Sequence, residues 1–254
     1  MKRRNFIQKT TAASAFLTLG GLSLQSFAEE SSKHITILHT NDVHSHIEPF
    51  PSTHYKYPNQ GGIARRANLI ESIRLENTHT LLLDAGDIFQ GTPYFNLYGG
   101  ELEFKLMSTL KYDAATIGNH DFDNSIDGLY AQLPNAKFEF VSANYDFKNT
   151  VLDGHVKPYK VFIKNGIKIG VFGIGIELNG LVDPRMYKET IYNDPIEVAR
   201  DMSRILNDDE QCDLIICLSH LGYHYKKGIN KVSDLELASK TKDIDLIIGG
   251  HTHT

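Results

Sequence analysis

Cysteine is nearly absent: the 254 residues contain only Cys212 and Cys217. They flank "CDLIIC", which reads as a buried strand. Five residues of strand set the two side chains roughly 16 Å apart and on opposite faces, which excludes a disulfide. Both read instead as small buried hydrophobes. Long apolar runs are missing too. Outside the N-terminus none reaches bilayer-spanning length, so the mature chain has no expected transmembrane segment. Internal repeats and low-complexity tracts are absent, which excludes solenoid and array architectures. Basic residues are outnumbered, 26 Lys and Arg against 31 Asp and Glu, for a net charge of −5. No basic stripe exists to hold phosphodiester backbone, so duplex nucleic acid is not an expected partner. What remains is 41% hydrophobic and 22% charged, the profile of a globular domain.

Residues 1–28, "MKRRNFIQKTTAASAFLTLGGLSLQSFA", read as an export signal peptide: a basic start, a mildly apolar stretch, and small residues at the cleavage position. "KRRNFI" resembles the twin-arginine export motif, the general secretory route being the alternative. Loss of Lys2, Arg3, Arg4 and Lys9, with no acid in that stretch, takes the charge from −5 to −9. The mature protein is expected in the periplasm or outside the cell. Replacing Arg3 and Arg4 by lysine is expected to block transport, because a receptor reads the pair and hydropathy is unchanged. Fractionation of the double variant checks this, and normal export would favour the general route.

Beyond the signal, strands alternate with helices. Strands are expected at 35–39, at the starts of 80–87 and 114–121, and at 138–144, 213–220 and 243–251. Residues 159–175 read as a hairpin turning at Asn165-Gly166. Helical spacing appears at 63–77, 101–110 and 195–208, with Asp194 as a cap. Alternation argues for the α/β class, and the hairpin for mixed sheets.

The chemistry gathers where the strands end. "NDVHSH", "DAGDIFQGT", "GNHDFD", "SHLG" and "GGHTHT" each follow a strand and each offer Asp, Asn or His. Strand ends of open α/β sheets are where ligand sites form. Oxygen and imidazole donors without a nearby thiolate suit catalytic Mn, Fe or Zn better than structural zinc. Asp42 and His44 are two residues apart, as are His251 and His253. Extended backbone would point each pair the same way, within reach of one metal or of two close ones.

In this order the motifs resemble the calcineurin-like dimetal phosphoesterases, and in their local forms the 5′-nucleotidase branch. "GGIARRA" (61–67) and "DAGDIFQGTP" (84–93) are similar to that branch as well, so the likeness covers residues 34 to 254. The resemblance implies two mixed sheets packed as a sandwich and flanked by helices. It implies that Asp42, His44, Asp87 and His253 hold one divalent metal. Asp87, Asn119, His220 and His251 would hold the second, with Asp87 bridging. A metal-bridging hydroxide would attack the phosphorus of a phosphate ester, a nucleotide by the same likeness. His120 would face the phosphate without binding metal, oriented by Asp123. Alternatives on the same scaffold are a 2′,3′-cyclic-nucleotide phosphodiesterase, a sugar-nucleotide hydrolase and a thiosulfohydrolase. A non-catalytic metal-binding module has no use for a metal-free His-Asp pair.

Other residues carry structural expectations. Asp84 supports the turn before Asp87. His39 is a hydrogen-bonded core residue, His224 lies on the surface, and His46 is not a ligand. Asn144 is expected to hydrogen-bond behind the ligands, and Gly86, Gly118 and Gly250 to permit tight turns. Residues 29–254 are expected to form the catalytic domain without its last strands. Related nucleotidases grip the base with a C-terminal domain that has no counterpart here, so a separate domain or protein would supply that function.

Overall fold

The computed structural model describes residues 32–229 and 231–254. The export signal lies outside them. Residues 35–254 form one compact unit. Its first sheet holds β1 (Thr36–Thr40), β2 (Thr80–Asp84), β3 (Ala114–Ala115) and β4 (Glu139–Phe140) in that order, each pair parallel. Helix α1 (Ile63–Glu76) crosses from β1 to β2. Helices α2 (Pro93–Tyr98) and α3 (Glu101–Thr109) cross from β2 to β3, and α4 (Ser125–Gln132) from β3 to β4.

A two-stranded sheet pairs β5 (Tyr145–Asp146) with β8 (Ile191–Tyr192). The second large sheet holds β6 (Tyr159–Lys164), β7 (Ile167–Ile174), β9 (Leu214–Ser219) and β10 (Leu246–Gly249). Its order is β10-β9-β7-β6. Only β6 runs antiparallel, so the hairpin makes this sheet mixed. At the hairpin turn Asn165 and Gly166 have φ of 52° and 68°, the type I′ geometry that matches strand twist. After the short α5 (Pro184–Tyr187), α6 (Pro195–Arg204) packs on this sheet, as does α7 (Asp234–Lys240). Asp194 caps α6 by accepting from the N–H groups of Ile196 and Glu197. The expected helix to residue 208 is α-helical only to Arg204 and ends in a π-helical turn, Ile205–Asp209.

Side-chain alternation builds the layers. Leu81 and Leu83 of β2 meet Ile169 and Val171 of β7 and Ile216 and Leu218 of β9 in a core between the sheets. Leu82 points the other way, onto Ile70, Phe104 and Met107 of the helices. Phe172, Ile215 and Cys217 face Ile196 and Ala199 of α6. The result is the expected sandwich of two sheets between helices. Strands buried on both faces read as unbroken apolar runs, which is why these were legible. Each such side chain contributes about 1.5–3 kcal/mol of burial. Cys212 and Cys217 are both free; Cys217 is buried and Cys212 half-buried.

Candidate metal centre

The parallel strands aim their C-terminal ends at one rim. Five loops meet there, after β1, β2, β3, β9 and β10. Asp42, His44 and His253 form one group able to hold a cation, and Asp87, His220 and His251 a second. Asp87 Oδ2 lies 3.0 Å from His220 Nε2 and 3.8 Å from His44 Nε2, so it touches both groups. Asn119 Oδ1 is 2.8 Å from His251 Nδ1, at the edge of the second. His253 Nε2 is 3.3 Å from Asp42 Oδ1 and 3.2 Å from His44 Nε2. The backbone N–H of His251 donates to both oxygens of Asp42 and ties the groups together.

The backbone between paired ligands is not extended. Asp42, His44, Asp87, His251 and His253 all have φ between 48° and 74°. Left-handed turns, not strand alternation, converge these side chains. Such φ values are strained for residues with a Cβ and persist only where the surroundings hold them. The surroundings here are rungs between two loops: Asp42 N–H to Gly86 O, His44 N–H to Asp87 O, and Ser45 N–H to Ile88 O. The loops must touch for this, and glycine permits it. A Cβ on Gly118 would lie 2.2 Å from Asp87 Oδ1, and one on Gly250 2.9 Å from Ala85 O.

Donor chemistry fits divalent cations. His220 Nδ1 donates to Ala85 O at 2.7 Å, which turns Nε2 toward Asp87. That Nε2 is fully buried and makes no hydrogen bond of acceptable geometry, although a carboxylate oxygen is 3.0 Å away. His44 Nδ1 is likewise engaged by Phe89 O at 3.2 Å, leaving its Nε2 facing that of His253. Opposed lone pairs of this kind are what a shared cation resolves. Burial pushes His44 below the ordinary imidazole range and, helped by His220, takes His251 down to about 4. A neutral imidazole is the metal-binding form. Burial opposes charge on Asp87 and His220 alike, yet each outweighs it for the other: the carboxyl is held low and the imidazole raised.

His120 differs. Its Nδ1 is 2.8 Å from Asp123 Oδ2, and this bond raises its pKa against the opposing effect of burial. It belongs to neither group of candidate ligands, but its backbone N–H donates to Asp87 Oδ1 at 2.7 Å.

The remaining expectations divide. Asp84 is buried and supports the turn, accepting from Gly86 N–H and Thr40 Oγ1; burial raises it to about 7. His46 packs on Phe50 at 4.6 Å, outside both groups, and His224 is exposed. His39 is not a core residue: it is exposed at the rim end of edge strand β1. Asn144 does not back the ligands. It clamps Gly175, donating to its carbonyl and accepting from its N–H.

Sequence reasoning missed Asp121. Fully buried, it accepts from the N–H groups of Asp87, Ile88, Phe89 and Gly118, and so fixes the loop that presents Asp87. Burial, aided by Asp87, raises its pKa. Its one sequence signal is its place inside "GNHDFD". Asp121→Asn puts an amide donor against N–H donors and is expected to cost about 2 kcal/mol, the scale of a buried unsatisfied polar group. Urea unfolding checks this; an unchanged midpoint would remove Asp121 from the scaffold of the site.

Comparison with known proteins identifies the family. The calcineurin-like phosphoesterase model matches residues 35–254. The chain is 37% identical over 228 residues to a snake venom 5′-nucleotidase of Crotalus adamanteus, covering 87% of this chain and 37% of that protein. It is 35% identical over 264 residues to a 5′-nucleotidase of Vibrio vulnificus, covering 99% and 46% respectively. The crystal structure of a 5′-nucleotidase precursor from Thermus thermophilus superposes with a TM-score of 0.78 at 35% identity, covering 87% of this chain and 42% of that one. The chain thus spans less than half the length of each of these relatives. Because the family model covers nearly all the described residues, the chain belongs to the calcineurin-like phosphoesterase family.

Proposed function

We propose that the chain carries the catalytic centre of an exported, metal-dependent phosphoesterase that hydrolyses nucleotides, in the manner of its 5′-nucleotidase relatives. One observation carries the reading: two groups able to hold a cation lie side by side, Asp87 of one reaching within 3.8 Å of His44 of the other, and a His-Asp pair that joins neither stands beside them. Asp42, His44, Asp87 and His253 hold one cation; Asp87, Asn119, His220 and His251 hold the other. Mn, Zn and Fe all suit these donors. Two such ions would activate water and neutralise phosphate oxygens.

The chain's own residues do the rest. Asn119 contributes a neutral oxygen, so the centre keeps attraction for a phosphate dianion. Asp123 occupies His120 Nδ1 and leaves Nε2 to face the phosphate, where the raised pKa favours the proton-bearing form. That form stabilises charge gathering on the phosphoryl oxygens and protonates the departing alkoxide. A separate domain or protein would grip the nucleoside.

The test is phosphate release from nucleoside 5′-monophosphates with Mn2+, Zn2+ or Fe2+ added singly to metal-stripped protein. Hydrolysis that requires metal and stops with chelator is expected. Two bound ions with no hydrolysis of any phosphate ester would make the chain a binding module.

A further inference from the structure

Helix α3 sends an acid into the protein. Glu103, in its first turn, is 5% exposed, and its Oε1 accepts from Ser45 Oγ at 2.5 Å, 58 residues away in sequence. Its Oε2 is buried and has no hydrogen-bond partner among the described residues. Glu103 lines a cavity of about 20 Å³ whose walls include the apolar Ile88, Leu106 and Met107 and the polar Ser45, His46 and Arg66. Arg66 makes no ion pair with it among the described residues. A half-satisfied carboxylate here stabilises less than a packed apolar side chain of the same volume would. A first-turn acid also gains from the helix dipole, but Glu101 supplies that from the surface, paired with Lys105.

What Glu103 holds is more telling. Ser45 follows His44, and both are left-handed, with φ of 57° and 48°. Ser45 is 1% exposed. Its Oγ carries one hydrogen, and that hydrogen goes to Glu103 Oε1. Thr92 completes the grip: its Oγ1 is 2.8 Å from Ser45 Oγ and 3.0 Å from Ser45 O, and it accepts from Tyr94 N–H at the start of α2. Gly91 presses on the same turn, where an added Cβ would lie 2.7 Å from His44 O. The starts of α2 and α3 therefore clamp the residue beside His44, while Phe89 O holds the His44 ring.

We propose that Glu103 is a positioning residue for the first cation site: through Ser45 it holds the left-handed turn that aims His44 at the ion. This rests on the reading of His44 as a ligand. Glu103 touches neither ion nor substrate, and its effect is confined to the site that His44 serves. Among the described residues no hydrogen bond joins Ser45 to Asp87, Asn119, His220 or His251 of the second site.

The experiment is titration of the whole chain with Co2+ and with Mn2+ alone, followed by calorimetry and, for Co2+, by its ligand-field absorption. Wild type is expected to bind two ions. Glu103→Leu is expected to weaken one binding step at least tenfold and leave the other unchanged, with a thermal midpoint equal to or above wild type. Glu103→Gln keeps an acceptor oxygen and should restore most of the affinity. Ser45→Ala removes the hydroxyl link and should reproduce the selective loss; it decides the matter if Glu103→Leu does not fold. Wild-type affinity at both steps in Glu103→Leu, or in Ser45→Ala, overturns the proposal. So does parallel weakening of both steps with a lowered midpoint, which is what a merely structural acid would give. A wild-type chain that binds no ion sinks the reading of the centre itself, a result distinct from two-ion binding that ignores Glu103.

Discussion

Asp87→Asn is expected to empty both cation sites together and to lower phosphate-ester hydrolysis by roughly 10³-fold or more. The reason is electrostatic. Two divalent ions held in one centre would repel each other, and a carboxylate charge at Asp87, close to both groups, would offset that repulsion. Asp87 touches members of both groups, through Oδ2 contacts to His220 and His44. An amide of the same shape keeps an oxygen but removes the charge, so the repulsion is left without its offset. The amide also brings hydrogens that can bond the two histidine nitrogens an ion would need. Metal analysis of the purified variant gives the answer directly. Full occupancy at one site with surviving turnover would make Asp87 a ligand of that site alone. His220 also stabilises Asp87 electrostatically, so the variant leaves a buried imidazole without its anion. A folding control is therefore part of the measurement.

The ligand-type residues were legible because chemistry restricts them. Asp, Asn and His at five strand ends, in order, have few other uses. The central strands were legible for another reason: residues 81–83, 169–174 and 215–218 are buried on both faces and read as continuous apolar runs. Short elements escaped. Strands β5 and β8 are two residues long each, and no periodicity survives at that length. Helix α7 was missed although Ser233 and Glu236 have the spacing of a capping box, with Ser233 Oγ accepting from the Glu236 N–H. Helix α2 carries a comparable mark in Thr92-Pro93, a cap followed by proline at the first helical position. Edge position defeated the reading of His39 as a core residue: it ends edge strand β1 and is exposed.

The supporting acids were invisible for a deeper reason. Asp121 accepts backbone N–H groups and Glu103 a serine hydroxyl; neither task imposes a spacing on the sequence. The left-handed turns were hidden too, because Asp and His occupy them where glycine would have announced them. Their strain is tolerated only because those same acids and the inter-loop rungs hold the backbone. The candidate ligands therefore stood out by residue type, and their geometry had to wait for tertiary contacts.

His120→Asn is expected to cut turnover roughly 10²-fold or more while both cations stay bound. The two halves of this result come from different atoms. His120 meets Asp87 through its backbone N–H, which any residue but proline supplies, so the substitution leaves that bond in place. The side chain belongs to neither cation group; its ring meets His44 edge-on at 5.2 Å and its Nδ1 meets Asp123. Removing the ring therefore leaves the ligands and removes a proton-bearing nitrogen. Asparagine is shorter and does not titrate, so it can neither reach as far nor give up a proton. Asp123→Asn should cost less, because Nε2 remains and only its orientation and raised pKa are weakened. The measurement pairs metal content with kcat for an ester of poor leaving group and one of good leaving group. If His120 protonates the departing oxygen, the loss is larger for the poor leaving group, which needs the proton more. Equal losses would restrict His120 to stabilising charge on the phosphoryl oxygens. Two ions per chain with near-normal turnover on both esters would remove it from the reaction altogether.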